Sequence, residues 1–139
     1  MTVIDNKEAV LGTSVIMSLL LKYSTTGIIE NKISKFDYFH IPDIIYYESF
    51  NAVWKRIQRN DISPDDCEII MDKTCSFLNL MKIHNFNETV KGAFSLSKKM
   101  GITVYDASYV FLAITLSIPL ITSDKKLINK IKENKLNIL

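Results

Sequence analysis

The constraint that most narrows the fold of this chain is an alternation along its length: short β-branched or aromatic segments, each followed by a longer stretch with helical spacing. Residues 8–11 suit a strand that enters Gly12, and residues 13–22 are apolar enough for a buried helix. A second helix is expected over 26–35, then an aromatic strand at 38–41. Pro42 stands where a helix favours its first residue, with 44–60 as the helix body. There Tyr46, Phe50, Val53, Trp54 and Ile57 recur at helical spacing and define the face expected to pack on a core. Ser63, Pro64 and two acids open a helix that should run to about Leu80, and 81–84 reads as the next strand. A helix over 87–100 is ended by Gly101. Residues 105–117 are apolar nearly all round and so belong to a buried helix; 119–122 form a short strand, 124–135 an amphipathic helix, and 136–139 a candidate last strand. Strands that alternate with helices pair in parallel through right-handed crossovers, with both sheet faces covered. The expected fold is a three-layer α/β/α sandwich on a short central parallel sheet.

With 139 residues and no internal repeat or Pro/Gly-rich linker, one domain over 1–139 is expected. Apolar residues at 47% and charged residues at 23% are far from the composition of a disordered chain. Seventeen basic against fifteen acidic residues leave a formal charge of +2, so any nucleic-acid binding has to be local. Lys125, Lys126, Lys130, Lys132 and Lys135 cluster near the end, as a phosphate track or as the wet face of a terminal helix. Cys67 and Cys75 match neither a redox pair nor a zinc knuckle, which suits a reduced, cytoplasmic setting. The apolar runs 15–21 and 109–121 fall short of the roughly 20 residues a bilayer needs, and Pro119 interrupts the second. Asp5 and Glu8 place acid where a signal peptide would carry base, so neither a leader nor a membrane partner is expected.

In a sheet of this type ligands gather outside the carboxyl ends of the strands, which directs attention to acids at strand-to-helix junctions. Asp106 begins the most apolar helix, and Asp124 follows the 119–122 strand almost directly. Glu48 sits in the helix after Pro42, on a flank shared with Ile44, Tyr47 and Asn51. Thr103 and Asp106 also have capping-box spacing, and Asp124 is placed to cap the final helix, so both acids have a structural reading beside the functional one. Capping does not explain Glu48. Three carboxylates meeting at one sheet end would repel and hold their protons unless a cation neutralised them. All-oxygen ligation with no nearby His or Cys favours Mg²⁺ or Mn²⁺ over zinc. His40 and His84 are far apart in sequence and read as core or surface residues with no relay to these acids; Trp54 reads as packing, and Arg56 and Arg59 as solvated helix flank. The absence of a glycine-rich phosphate loop argues against a nucleotide-binding or phosphatase-like domain.

Gly12-Thr13-Ser14-Val15, then Pro42 through Glu48 to Asn51-Ala52, then Tyr105-Asp106-Ala107 with its apolar helix, then 119–124 ending in Ser123-Asp124, resemble the successive motifs of PIN domains, in particular the VapC toxin-like ribonucleases. The resemblance covers nearly the whole chain and is most specific over 101–127. It implies a Mg²⁺- or Mn²⁺-dependent endoribonuclease of a toxin-antitoxin system, with RNA as substrate, a small antitoxin protein as partner, and a homodimer. By position, Glu48, Asp106 and Asp124 match acidic, metal-binding catalytic residues of that family, and Ser14, Asn51 and Thr122 match polar positions that support them. In such enzymes the ion makes a nucleophile of bound water and stabilises charge on the scissile phosphate.

The chain departs from the pattern at its first acid. Gly12 stands two residues before Ser14, where the family carries an aspartate, and glycine offers no side-chain ligand. Three accounts follow: a non-catalytic module that retains RNA or partner binding, an inactivating change at Gly12, or a shifted strand register in which Asp5 replaces the missing acid. The second predicts a slow or dead enzyme, because even indirect changes at metal sites cost roughly 10- to 100-fold.

Overall fold

The first strand, β1 (Glu8–Leu11), ends in Ala9, Val10 and Leu11, all fully buried, as expected of a strand covered on both faces. The computed structural model describes residues 6–21 and 26–139; Asp5, and with it the register-shift account of Gly12, lies outside them. β1 leads into α1 (Thr13–Leu21) and α2 (Thr26–Ile33), then β2 (Tyr38–Pro42), α3 (Ile44–Gln58), α4 (Cys67–Leu78), β3 (Lys82–His84), α5 (Phe86–Met100), α6 (Val104–Leu116), β4 (Leu120–Ile121) and α7 (Lys125–Glu133). The strands form one parallel sheet in the order β3-β2-β1-β4, with Val10 opposite both His40 and Leu120. The chain steps outward from β1 through β2 to β3, then returns to the other side of β1 for β4. That reversal makes the carboxyl ends of β1 and β4 a topological switch point, where an open α/β sheet offers its crevice.

Helices flank the sheet in two groups. α1 packs with α2, α3 and α4, while α5 pairs along its length with α6, which contacts β1, β2 and β4. Leu11, Ile16, Ile41, Ile45, Val110 and Leu120 are completely enclosed or nearly so, and burying each such side chain is worth roughly 1.5–3 kcal/mol. Local chemistry sets the helix ends. Asn85, Thr103 and Asp124 cap α5, α6 and α7 by accepting backbone N–H bonds, and Gly101 leaves α5 in the left-handed conformation at φ 67°.

Four expectations are corrected. Pro42 closes β2 rather than opening α3; Asp43 stands at the helix start, and its carboxylate accepts the N–H of Phe86 instead of capping. Trp54 is 55% exposed, because the buried stripe of α3 runs through Ile45, Ser49 and Val53 at four-residue steps and leaves position 54 beyond its edge. The helix read from Ser63 begins as a 3₁₀ turn at Pro64–Asp66 and becomes α-helical only at Cys67. Residues 136–139 form no strand: after the left-handed turn at Lys135 the segment gives, among the described residues, a single sheet bond, from Leu120 N to Ile138 O.

Candidate active site

At the switch point the end of β1, the starts of α1 and α6, the middle of α3 and the loop after β4 enclose a cleft of 120 Å³. Glu48, Asp106 and Asp124, distant in sequence, all line it, as do Gly12, Ser14 and Thr122. Asn51 does not: it is exposed on the outer side of α3, one turn beyond Glu48. Tyr47, at 80% exposure, also faces solvent, so Glu48 sits at the boundary of the wet face rather than on a shared inward flank.

Each polar residue has a definable task. Glu48 Oε1 accepts hydrogen bonds from Tyr109 Oη at 2.6 Å and Thr13 Oγ1 at 3.0 Å, and those two hydroxyls lie 2.6 Å apart. Ser14 Oγ accepts the N–H of Ser123 at 3.2 Å, and Thr122 Oγ1 accepts that of Asp124 at 3.1 Å. Together they pin the loop that presents Asp124 against the start of α1. Asp124 Oδ1 caps α7 through the N–H groups of Lys126 and Leu127, and Thr103 caps α6 through the N–H of Asp106. The structural readings of Asp124 and of the α6 start are therefore realised, and the same carboxylates still border the cleft.

Sequence reasoning missed Tyr109 and Thr13. A signal for Tyr109 existed: a tyrosine one turn after Asp106, inside a helix apolar on all sides, needs a buried partner for its hydroxyl. Thr13 gave none, since a residue opening a helix is most simply read as part of its cap. The electrostatics agree with convergence. Burial raises Glu48 above the usual carboxylate range, and Asp106 adds to the rise, while the Tyr109 and Thr13 bonds oppose it. Burial likewise raises Asp106, with Asp124 contributing repulsion. Tyr109 is pushed well above 10, by burial first and then by the Glu48 charge.

The donor chemistry suits a hard divalent cation, but the arrangement is short of a complete site. Among the described residues no three acidic, histidine or cysteine side chains are placed to share one ion. Glu48 commits one oxygen to two hydroxyls, Asp124 commits one to two helix N–H groups, and Gly12 contributes nothing. Position 12 nevertheless has room. A Cβ there would lie 3.4 Å from Ile121 O and 3.5 Å from Thr122, ordinary contact distances.

His40 and His84 stand apart from this cleft. Of the core and surface readings the core one holds for both, and they are not independent: their ring nitrogens are 2.9 Å apart. Arg56 pairs with Asp61 at 3.5 Å. No described helix is long and apolar enough to cross a membrane.

Comparison with known proteins gives a consistent picture. The family model described as "PIN domain" matches residues 9–133. Ribonuclease VapC3 of Pyrobaculum aerophilum is 32% identical over 123 residues, spanning 88% of this chain and 94% of that protein. Among solved structures, a protein from Pyrobaculum aerophilum superposes with a TM-score of 0.62 at 23% identity, covering 89% of this chain and 79% of the other. A toxin-antitoxin complex from Klebsiella pneumoniae gives 0.64 at 17% identity, with 85% and 88% covered. VapBC2 from Rickettsia felis, bound to a DNA fragment from its promoter, gives 0.60 at 19%, with 95% of both chains covered. At these identities the structural matches speak for the fold.

Proposed function

The chain belongs to the PIN-domain family, among the VapC-like ribonucleases, and we propose that it is a toxin-type endoribonuclease whose cleavage centre is weakened by Gly12. The observation that carries this reading is the convergence of Glu48, Asp106 and Asp124 on one cleft at the carboxyl end of the sheet. In it Tyr109 and Thr13 orient Glu48, Ser14 and Thr122 hold the Asp124 loop, and burial raises the affinity of Glu48 and Asp106 for protons, with repulsion from Asp106 and Asp124 respectively adding to it. Mg²⁺ or Mn²⁺ is the cation that this oxygen-only set favours. The substrate is RNA cut in the cytoplasm, and the partners are a small antitoxin protein and a second copy of the chain; the toxin-antitoxin complex from Klebsiella pneumoniae, whose fold the chain shares, supports the antitoxin.

A second reading, a non-catalytic PIN module that binds RNA or a protein through the same cleft, is favoured by the absence of any three ligating side chains placed to share an ion among the described residues. Incubating the native chain and Gly12→Asp with RNA and Mn²⁺ separates the two. Cleavage confined to the substituted chain is expected if the enzyme is merely missing a ligand, whereas no cleavage by either protein would leave the binding module as the better account.

A further inference from the structure

Away from the acidic cleft, three strands and a helix carry an unbroken row of titratable side chains. Glu8 on β1 lies opposite Tyr38, two residues before His40 on β2; His40 lies opposite Lys82, two residues before His84 on β3. The two-residue period of a strand therefore puts Glu8, His40 and His84 on one sheet face, in a diagonal line. Glu88, in the first turn of α5, completes it. His40 Nε2 is 2.8 Å from Glu8 Oε1, His40 Nδ1 is 2.9 Å from His84 Nε2, and His84 Nδ1 is 3.1 Å from Glu88 Oε2. Both imidazoles are almost inaccessible, at 4% and 8% exposure, while the carboxylates reach solvent.

Proton counting makes this row a device. Each of the three contacts needs one hydrogen, and ionised carboxylates supply none, so the two rings together must carry three N–H protons and one positive charge. Two neutral rings supply only two, and one contact must open. Two imidazolium rings supply four, which sets N–H against N–H at the central contact. We propose that Glu8, His40, His84 and Glu88 form a pH-sensitive latch that fastens the first turn of α5 to the sheet while the histidine pair holds three protons. On the alkaline side Glu88 disengages before Glu8, because its side chain is 61% exposed against 41%.

Among the described residues the remaining charged or titratable neighbours are few. Asp37, Tyr38 and Lys82 border the cavity beside His40, and Asp43 meets the His84 end through its own N–H to the His84 carbonyl. α6, packed on β1 and β2, brings Asp106 and Tyr109, which line the acidic cleft instead. α5 contributes Glu88 alone to the hydrogen-bonded row.

Side-chain ¹⁵N spectra of the two histidines in the unmodified chain, recorded from pH 5 to 9, test the count without any substitution. Three protonated nitrogens of four are expected over a plateau. Amide exchange in the first turn of α5, corrected for intrinsic chemistry, should be about tenfold faster on both sides of that plateau, with mid-α6 unchanged. Two or four ring N–H protons throughout pH 6–8, or exchange in α5 indifferent to pH, would overturn the proposal. Glu88→Gln retains an acceptor but not a charge, and should move the alkaline edge of the plateau down by roughly one pH unit; an unmoved edge counts against the latch.

Discussion

Replacing Gly12 with aspartate tests the physics of the cleft independently of catalysis. Sterically the change is mild: the new Cβ sits at 3.4–3.5 Å from Ile121 and Thr122, and Gly12 does not occupy the left-handed backbone region. Removing glycine's freedom from the unfolded chain even favours folding by roughly 0.4–1 kcal/mol. The cost is electrostatic, since a fourth carboxylate joins Glu48, Asp106 and Asp124. At a separation of about 6 Å and an effective dielectric of about 20, one pair of like charges repels by roughly 3 kcal/mol. Proton uptake by Glu48 and Asp106, both already raised, relieves part of this. A net loss of about 1–2 kcal/mol is expected, or roughly 3–8 °C in melting temperature for a chain of this size. Divalent metal should reverse the sign. Mn²⁺ at about a hundred times its Kd contributes roughly 2.7 kcal/mol to the substituted protein, more than the loss. Melting curves of the native chain and Gly12→Asp, with EDTA and with Mn²⁺, supply all four values. The native chain should move by no more than about 1 °C on adding the ion, near the resolution of such curves. Equal stabilisation of both proteins by Mn²⁺ would refute the reasoning, because three acids would then suffice. So would a substituted chain that is neither destabilised in EDTA nor stabilised by metal, because position 12 would then not address the cleft.

Three further outcomes follow from particular side chains. Gly92→Ala, which at an open helix site would add about 1 kcal/mol, should instead destabilise by roughly 1–2 kcal/mol in urea unfolding, because its Cβ would lie 2.1–2.6 Å from the ring of Phe111 on α6; Phe111→Leu in the same chain should recover most of the loss. Ser49→Ala should stabilise by about 1 kcal/mol in the same assay, since the Ser49 hydroxyl is fully buried without a hydrogen-bond partner among the described residues. Glu48 binds its proton more tightly folded than unfolded, so the folded state gains protons and its stability falls as pH rises from the ordinary carboxylate range through the raised folded value; Glu48→Gln, which keeps a carbonyl acceptor for Tyr109 and Thr13, should flatten that slope in a urea titration over pH, and an unchanged slope would assign it to other groups.

The division between what the sequence discloses and what it hides follows the range of the forces involved. Alternating segments, Gly101 as a helix stop and Asp124 as a cap are local features, and the observed elements lie within a few residues of the expected ones. That Glu48, Asp106 and Asp124 meet at one cleft was legible because burying a carboxylate is costly and their positions, at or near the carboxyl ends of strands, draw attention to that end of the sheet. Side-chain partnerships across the sheet were not. His40 and His84 are 44 residues apart, and only the parallel register of β2 on β3 makes them neighbours. Trp54 failed for the opposite reason: helical periodicity fixes a face to within about one residue, and Trp54 is the residue just past that edge.

The same contrast bears on Gly12. Ser14 and Thr122 brace the Asp124 loop, Tyr109 and Thr13 clamp Glu48, and a Cβ at position 12 would meet only ordinary contacts. A cleft that had lost its task altogether would be stabilised by neutralising Glu48 or Asp106, since burial works against both charges. Their presence in a hollow whose lining, among the described residues, includes no basic side chain is an electrostatic cost, and under the proposed function a divalent ion held with the help of an aspartate at position 12 would offset it.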